Sequence, residues 1–202
     1  MEDSTKESQE QKESTGPKES ADHEKISTQK ESADQKGIPT QKGSPAQPSP
    51  IVDLLIKTFP DSVSAIEELT NWPSARVKLG AFEQVAGFLK KEPALDFDYL
   101  TCISGVDYPE RSPRFDLVYH FVSLKYKHVL ELKVGVGEKD IAPSLTALWR
   151  SADWNEREAF DLLGIQFSGH PDLRRILLPD QWKGHPLRKD YVIAEEDKFP
   201  GD

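Results

Sequence analysis

The sequence predicts an α+β fold, in which a small mixed or antiparallel β-sheet packs with helices between a disordered N-terminal tail and an extended C-terminal stretch. Three observations support this prediction. Apolar residues recur with the period of strands between residues 97 and 136, and with the period of helices on both sides of that region. All aromatic residues of the 202-residue chain lie after residue 50. After Gly164, Pro and Gly interrupt the chain and regular periodicity is lost.

Residues 1–50 form the predicted disordered tail. They contain no Phe, Tyr or Trp, and their only Leu, Ile, Val or Met residues are Met1, Ile26 and Ile38. Such a segment buries too little apolar surface to offset the entropy lost on ordering. The tripeptide Lys-Glu-Ser recurs four times in it. Because this repeat has no hydrophobic face, it excludes a solenoid and predicts a solvated extension.

Helical spacing appears first at Ile51, Leu54 and Leu55, which predicts a short helix that ends near Pro60. A second helix is predicted over residues 82–91, because Phe82, Val85, Ala86 and Leu89 recur at helical spacing. Two lysines occupy its last turn, where the helix dipole favours cations.

Two more helices are predicted before the periodicity is lost. One covers residues 143–152, with Pro near its start. Asp153 and Glu156 have the spacing of a capping box, which predicts a further helix over residues 154–163. Gly164 is suited to end that helix in the left-handed conformation.

Strands are predicted between these helices. Residues 76–79 form a short candidate strand, and residues 97–106 are rich in β-forming types. Residues 115–125 and 128–136 are joined by a short connection, so they predict an antiparallel hairpin. Residues 128–136 alternate between apolar and polar types, which predicts a sheet with one solvated face.

Composition excludes several function classes. The net charge of −9 divides between a tail with ten acidic residues and seven lysines and a remainder with 25 acidic and 19 basic residues. Neither part is cationic enough to indicate nucleic-acid binding.

The single cysteine, Cys102, excludes an internal disulfide and a thiolate-bound cluster, and it is expected to be a small buried hydrophobe. No apolar stretch is long enough to span a bilayer and the N-terminus is unlike a secretory signal, so we expect a soluble chain made in the cytoplasm.

A dense polar motif follows residue 155. It reads Glu-Arg-Glu-x-x-Asp-x-x-Gly-Ile-x-Phe-x-Gly-His-x-x-Leu-Arg-Arg-Ile-Leu from Glu156, and Gly-His-Pro-Leu-Arg-Lys-Asp-Tyr from Gly184. Its charged, glycine, histidine and proline positions are the candidate site residues: Glu156, Arg157, Glu158, Asp161, Gly164, Gly169, His170, Arg174, Arg175, Gly184, His185, Pro186, Arg188, Lys189 and Asp190.

Two chemical interpretations of this motif are open. Glu158 and Asp161 share a helix face, so with the histidines they could form an acid/base pair or a metal site. However, His170 and His185 are fifteen residues apart in Gly-His-Pro turns, which favours histidines that fix loops by hydrogen bonding. The other interpretation is a charge network that holds the irregular C-terminal stretch or a partner protein. In it Arg157, Arg174, Arg175 and Arg188 pair with Glu156, Glu158, Asp161 and Asp172.

The motif resembles the signature of the NuoC, or 30 kDa, subunit family of NADH:quinone oxidoreductase, which is respiratory complex I. The resemblance covers residues 154–191. It implies an α+β domain (residues 51–164) in the peripheral arm, expected to fold without the C-terminal segment (residues 165–202), which packs on partner subunits.

The implied partners are the quinone-site subunit and the terminal iron–sulfur subunit, and the chain would support electron transfer from NADH to quinone without being catalytic itself. The resemblance also implies that this chain binds no cofactor or metal, with FMN and iron–sulfur clusters in partner subunits. This agrees with the absence of a Gly-rich dinucleotide or phosphate-binding loop. The implied location is the cytoplasmic face of the bacterial inner membrane, with membrane contact only through the complex.

Three alternatives remain open at this point. The first is the equivalent subunit of a related complex, such as a membrane-bound hydrogenase, an F420H2 dehydrogenase or a photosynthetic-type NDH complex. The second is a free-standing hydrolase or lyase that uses Glu158, Asp161 and His170. The third is a free-standing adaptor without a redox partner.

Overall fold

The computed structural model describes residues 49–66 and 72–193. The predicted tail, apart from its last two residues, lies outside the described part of the chain. Within the described ranges, no helix has the length and apolar character needed to cross a membrane.

Five strands form the main sheet: β1 (Val63–Ala65), β2 (Ser74–Val77), β3 (Tyr99–Asp107), β4 (Phe115–Ser123) and β5 (His128–Val136). Their order across the sheet is β1-β2-β5-β4-β3. Strand β2 pairs parallel to β5, whereas the other pairs are antiparallel. The sheet is therefore mixed, within the predicted α+β class.

The predicted hairpin is confirmed, although its first strand ends at Ser123 and not at residue 125. Strands β4 and β5 pair from Phe115 with Val136 to Ser123 with His128. On β5, Leu130, Leu132 and Val134 point into the core and are fully buried. Alternation along a strand therefore set the register, because a shift of one residue would expose all three.

In the part of the chain that the structure describes, three helices accompany the sheet: α1 (Pro50–Thr58), α2 (Phe82–Lys91) and α3 (Ala152–Leu163). The first two lie where apolar spacing predicted them. Gly164 ends α3 with φ 77°, the left-handed cap that the sequence predicted. Helix α3 packs closely on β3, where Gly105 has no side chain to displace that of Leu163.

The prediction for residues 143–152 is wrong. Residues Ile141–Pro143 form strand β6, which pairs parallel with β7 (Gln166–Ser168), and the chain then passes through hydrogen-bonded turns into α3. Proline is tolerated at a strand edge and lacks the N–H that a helix interior needs. The strand partner that holds this segment extended comes from more than twenty residues further along the chain, beyond the reach of local spacing.

The predicted capping box is also wrong. Helix α3 begins at Ala152, so Asp153 lies inside its first turn instead of capping it. The Glu156 side chain is fully buried and accepts a hydrogen bond from the Leu145 N–H, which lies outside the helix.

The core extends past the predicted domain boundary at residue 164. Ile165 and Phe167 are 3% and 5% exposed and belong to the same hydrophobic cluster as Phe82, Tyr119 and Trp149. The C-terminal segment thus begins inside the folded domain.

Candidate functional site

Helix α3 presents the polar motif in two directions. Glu156 and Asp161 are fully buried and Ala159 is nearly so, whereas Glu158 faces solvent. Glu158 and Asp161 therefore do not share one environment, although they lie three residues apart, and the acid/base pair suggested by their spacing is not assembled.

Asp161 is the main anchor of the C-terminal segment. Its Oδ2 accepts hydrogen bonds from the backbone N–H groups of Ile176, Leu177 and Leu178 at 3.0, 2.8 and 2.9 Å. Its Oδ1 accepts one from Arg175 Nη1 at 2.6 Å. Burial disfavours the charged form, but these donors outweigh it and hold the pKa of Asp161 below its ordinary value.

Two arginines extend this anchor through backbone carbonyls. Arg175 also donates to the carbonyl oxygens of Trp182 and Gly184 at 2.9 and 3.1 Å. Arg157 donates to the carbonyls of Arg174 and Arg175 at 3.1 and 2.8 Å, and not to a carboxylate as predicted. The segment is therefore held mainly by its backbone.

Glu156 performs a similar role for the segment before α3, where it accepts the Leu145 N–H at 2.7 Å. Its other oxygen is buried without a hydrogen-bond partner, as is the Tyr119 hydroxyl. Burial raises the pKa of Glu156 to about 6. Burial, with a contribution from the Glu156 charge, also raises the pKa of Tyr119.

Both motif histidines fix turns. His170 is buried; its Nδ1 accepts the Asp172 N–H at 3.0 Å, and its Nε2 donates to the Asp153 carbonyl at 3.1 Å. His185 Nδ1 donates to the Asp161 carbonyl at 2.8 Å. These contacts agree with the prediction of loop-fixing histidines. Among the residues that the structure describes, no cluster of His, Cys, Asp and Glu is suited to hold a metal ion.

The end of the motif closes back on the domain. Arg188 Nε donates to the Leu163 carbonyl at 2.6 Å, and the Lys189 N–H donates to Asp107 Oδ2 at 2.9 Å. Arg114 joins Asp107 to Asp190, with contacts of 2.8 and 2.6 Å. Sequence analysis did not single out Asp107 or Arg114, because they flank ordinary strands and belong to no motif.

The predicted charge network is thus partly formed. Arg175 pairs with Asp161, and Arg174 pairs with Asp172 at 2.9 Å on the surface. Arg188 instead reaches Glu138 at 3.2 Å. The remaining predicted partners bind backbone groups or face solvent.

Cys102 lies on β3, the strand on which α3 packs. It is half-buried, and not fully buried as its apolar surroundings predicted. Its Sγ lies 3.3 Å from His120 Nδ1, and His120 Nε2 lies 3.1 Å from Glu131 Oε2. Burial, with a contribution from the Glu158 charge, raises the pKa of the Cys102 thiol, which agrees with the prediction of an unreactive cysteine.

The polar groups of the motif use most of their hydrogen bonds for anchoring, and large apolar side chains are left on the surface. The exposed ones on α3 and the C-terminal segment are Trp154, Leu177, Leu187, Val192 and Ile193. Sequence analysis missed Trp154, although its position opposite the buried stripe of α3 was a usable signal.

Comparison with solved structures shows which known chains share this fold. The fold matches a chain in the structure of the membrane-bound sulfane sulfur reductase (MBS), an archaeal respiratory membrane complex, with a TM-score of 0.61 and 20% identity over 75% of this chain and 94% of that one. It also matches the trypsin-resistant fragment (1–134) of Nqo5, with a TM-score of 0.54 and 30% identity over 61% of this chain and 96% of that one. The chain therefore shares its α+β fold with both of these chains.

Sequence comparison gives the family. The family model for the 30 kDa subunit of respiratory-chain NADH dehydrogenase matches residues 75–197. The C-subunit of NADH-quinone oxidoreductase from Roseiflexus castenholzii is 45% identical over 139 residues, which cover 68% of this chain and 80% of that protein. The chain belongs to the respiratory-chain NADH dehydrogenase 30 kDa subunit family.

Proposed function

We propose that the chain is a non-catalytic subunit in the peripheral arm of a proton-translocating NADH:quinone oxidoreductase. It supports electron transfer from NADH to quinone by scaffolding the quinone-site subunit and the terminal iron–sulfur subunit. The names of its relatives support the parent activity, and the peripheral position at the cytoplasmic face of the membrane is part of the same proposal.

The observation that carries the scaffold role is the anchored C-terminal segment. Asp161, Arg157 and Arg175 fix its backbone, while Leu177 and Leu187 remain 62% and 56% exposed. A fixed backbone with outward apolar side chains is the form of a preorganised protein interface, since little entropy remains to be lost on binding.

The proposal places FMN and the iron–sulfur clusters in partner subunits. Cys102, the single cysteine of the chain, lies beside His120 on the sheet, and one cysteine supplies too few thiolates to ligate an iron–sulfur cluster. After purification under anaerobic conditions, the isolated chain should lack visible flavin or cluster absorbance. One equivalent of bound iron, zinc or FMN would refute this part of the proposal.

The scaffold role is tested in the complete complex, purified through a tag on another subunit. Depletion of this chain should lower quinone reductase activity in proportion to the loss of assembled complex, with unchanged turnover per assembled complex. Arg174→Ala tests the segment without breaking an internal anchor, because this side chain is 70% exposed and pairs only at the surface. A fully assembled but inactive Arg174→Ala complex would assign this arginine to the redox chemistry and overturn the scaffold role.

A second candidate is the equivalent subunit of a related membrane complex, which the fold similarity to the sulfane sulfur reductase chain favours. The subunits that co-purify discriminate the two candidates. Flavin- and NADH-binding subunits with NADH-dependent quinone reduction support the first candidate, and a sulfur- or hydrogen-converting module supports the second.

The hydrolase alternative loses its structural basis. Asp161 is occupied by four donors, both ring nitrogens of His170 are hydrogen-bonded, and Glu158 faces solvent. These three groups therefore do not converge on a common substrate position.

A further inference from the structure

A groove lies between the exposed side of α3 and the anchored C-terminal segment. Its volume is about 270 Å³, and it is lined by Trp154, Asn155, Glu158, Ile176 and Leu177. Trp154 and Leu177 are 69% and 62% exposed, which is unusual for side chains of this size at the rim of one concave site.

The walls of this groove are fixed in place. The N–H groups of Ile176 and Leu177 are bound to Asp161 Oδ2 at 3.0 and 2.8 Å. On the opposite wall, Asn155 Nδ2 donates to the Ser151 carbonyl at 2.7 Å. The groove is therefore preorganised, and an inserted side chain would not have to order it first.

Glu158 gives the groove a negative rim. The nearby charged side chains already have other partners. Arg157 donates to backbone carbonyls, Arg174 forms an ion pair with Asp172, and Arg175 forms an ion pair with Asp161. Within the described part of the chain, no cation pairs with Glu158. A partner that covers this groove must therefore bring a positive charge or leave a carboxylate desolvated without a counter-ion, which is costly.

We propose that the groove receives a segment of a neighbouring subunit that inserts an apolar side chain between Trp154 and Leu177 and pairs a lysine or arginine with Glu158. This inference rests on the proposed function, because it identifies the surface and the partner chemistry of the scaffold. An apolar anchor inside a charged rim is the usual arrangement of energetically dominant contacts at interfaces.

Retention of the chain in the tagged, purified complex tests the groove. The double variant Trp154→Ala/Leu177→Ser should lower retention about tenfold or more, since it removes both walls of the anchor site. Glu158→Lys should lower retention more than Glu158→Gln. High salt should weaken retention of the wild type but have less effect on Glu158→Gln.

Two controls match these variants. Leu124→Ser removes a side chain that is 65% exposed at the end of the β4–β5 hairpin, away from the groove. Glu110→Lys reverses an exposed charge in the turn between β3 and β4. Both should be retained like the wild type, and all variants should keep a wild-type melting temperature as isolated chains.

Site-specific photo-cross-linking identifies the occupant. A benzophenone side chain in place of Leu177 should cross-link a neighbouring subunit at an apolar residue within a few positions of a lysine or arginine. A cross-link to an acidic segment, or full retention of the groove variants, would overturn the inference. If the wild-type chain itself fails to co-purify with the complex, the proposed function is wrong. If the wild type co-purifies and the groove variants are retained equally well, the groove inference is wrong but the proposed function stands.

Discussion

Asp161 shows how much a single side chain can organise. One buried carboxylate receives three consecutive backbone N–H groups and one guanidinium. The pairing with Arg175 was predictable from charge complementarity. The three N–H contacts were not, because backbone donors carry no residue-type signal and the turn at residues 176–178 has no recognisable period.

Asp161→Asn should destabilise the isolated chain by about 3 kcal/mol, because it leaves the largely buried Arg175 without its counter-charge. The folded-state pKa of Asp161 is lowered, so its contribution to stability is present above the ordinary pKa of about 4 and is lost as pH falls through the folded value. Urea unfolding at pH 7 and pH 3 checks both effects. An unchanged midpoint at pH 7 would show that the anchor contributes little.

The pH dependence of stability that Glu156 contributes has the opposite sign to that of Asp161. The folded pKa of Glu156 is raised from 4.5 to about 6, so the folded state binds the proton more tightly and loses stability as pH rises between these values. The loss amounts to about 2 kcal/mol above pH 7, since one pKa unit corresponds to about 1.4 kcal/mol.

Glu156→Gln should remove that pH dependence and should be at least as stable as the wild type at pH 7.5, because the amide still accepts the Leu145 N–H. Unfolding free energies at pH 5 and 7.5 provide the measurement. A wild type that is more stable at pH 7.5 than at pH 5, beside a variant that is not, would show that Glu156 stabilises the fold as pH rises, which is the opposite of this prediction.

Gly164 is required for two separate reasons. Its φ of 77° disfavours other residues, and an added Cβ would lie 2.6 Å from the His185 ring and 2.7 Å from Arg188 Nη2. Gly164→Ala should therefore cost about 2–3 kcal/mol, whereas Gly169→Ala, at φ 78° with no atom within 4 Å, should cost only about 1 kcal/mol. The difference between the melting temperatures of the two variants measures the effect of the contact with His185 and Arg188. Equal decreases in melting temperature would show that the positive φ alone sets the cost.

At the scale of elements, secondary structure was predicted best where one face of a helix or strand packs on the hydrophobic core. Helices α1 and α2 and the β4–β5 hairpin follow directly from apolar spacing. Prediction failed at residues 143–152, where Pro143 belongs to β6, which pairs with the distant β7, and the residues after it form hydrogen-bonded turns instead of a continuous helix. The solvated face of β5 was also only partly predicted, since Glu131 is 8% exposed and contacts His120 on β4.

The pairing of β7 with β6 changes the expected result of truncation. The sequence alone predicts that removal of all residues after Gly164 leaves the core folded. The truncation would delete Ile165 and Phe167 from the core and leave Asp161 buried without Arg175 and three N–H donors. From the structure we expect it to lower the melting temperature by more than about 10 °C, or roughly 3 kcal/mol or more. A truncated chain with wild-type circular dichroism and stability would show that the segment is an independent appendage.

At the scale of the whole molecule, the family was predictable because its motif is long and ordered. The functional role of the candidate residues stays a prediction, and the structure shows that most of their individual partners differ from the predicted ones. Several charged residues on a helix and a loop could pair in many ways. The actual partners, backbone carbonyls for Arg157 and mainly backbone N–H groups for Asp161, depend on the path of the folded backbone and carry no residue-type signal. The wall of the groove formed by Ile176 and Leu177 depends on that same backbone, so only the Trp154 wall had a sequence signal.

Deletion of residues 1–45 should leave folding and assembly nearly unchanged. This prediction concerns residues outside the described part of the chain and rests on their lack of apolar surface. The yield of purified complex with the shortened chain is the measurement. A large loss of assembled complex would reveal a binding element in the tail, and a scrambled tail of the same composition would show whether its sequence matters.

The backbone-directed anchoring of the C-terminal segment also bears on how this protein can diverge. Asp161, Arg157 and Arg175 bind N–H and carbonyl groups that every residue other than proline supplies. Substitutions at positions 176–178 and 182 can therefore change the outward chemistry while the attachment persists. If the chain is the scaffold proposed above, its outward side chains can adapt to a different neighbouring subunit one at a time while the fold stays the same.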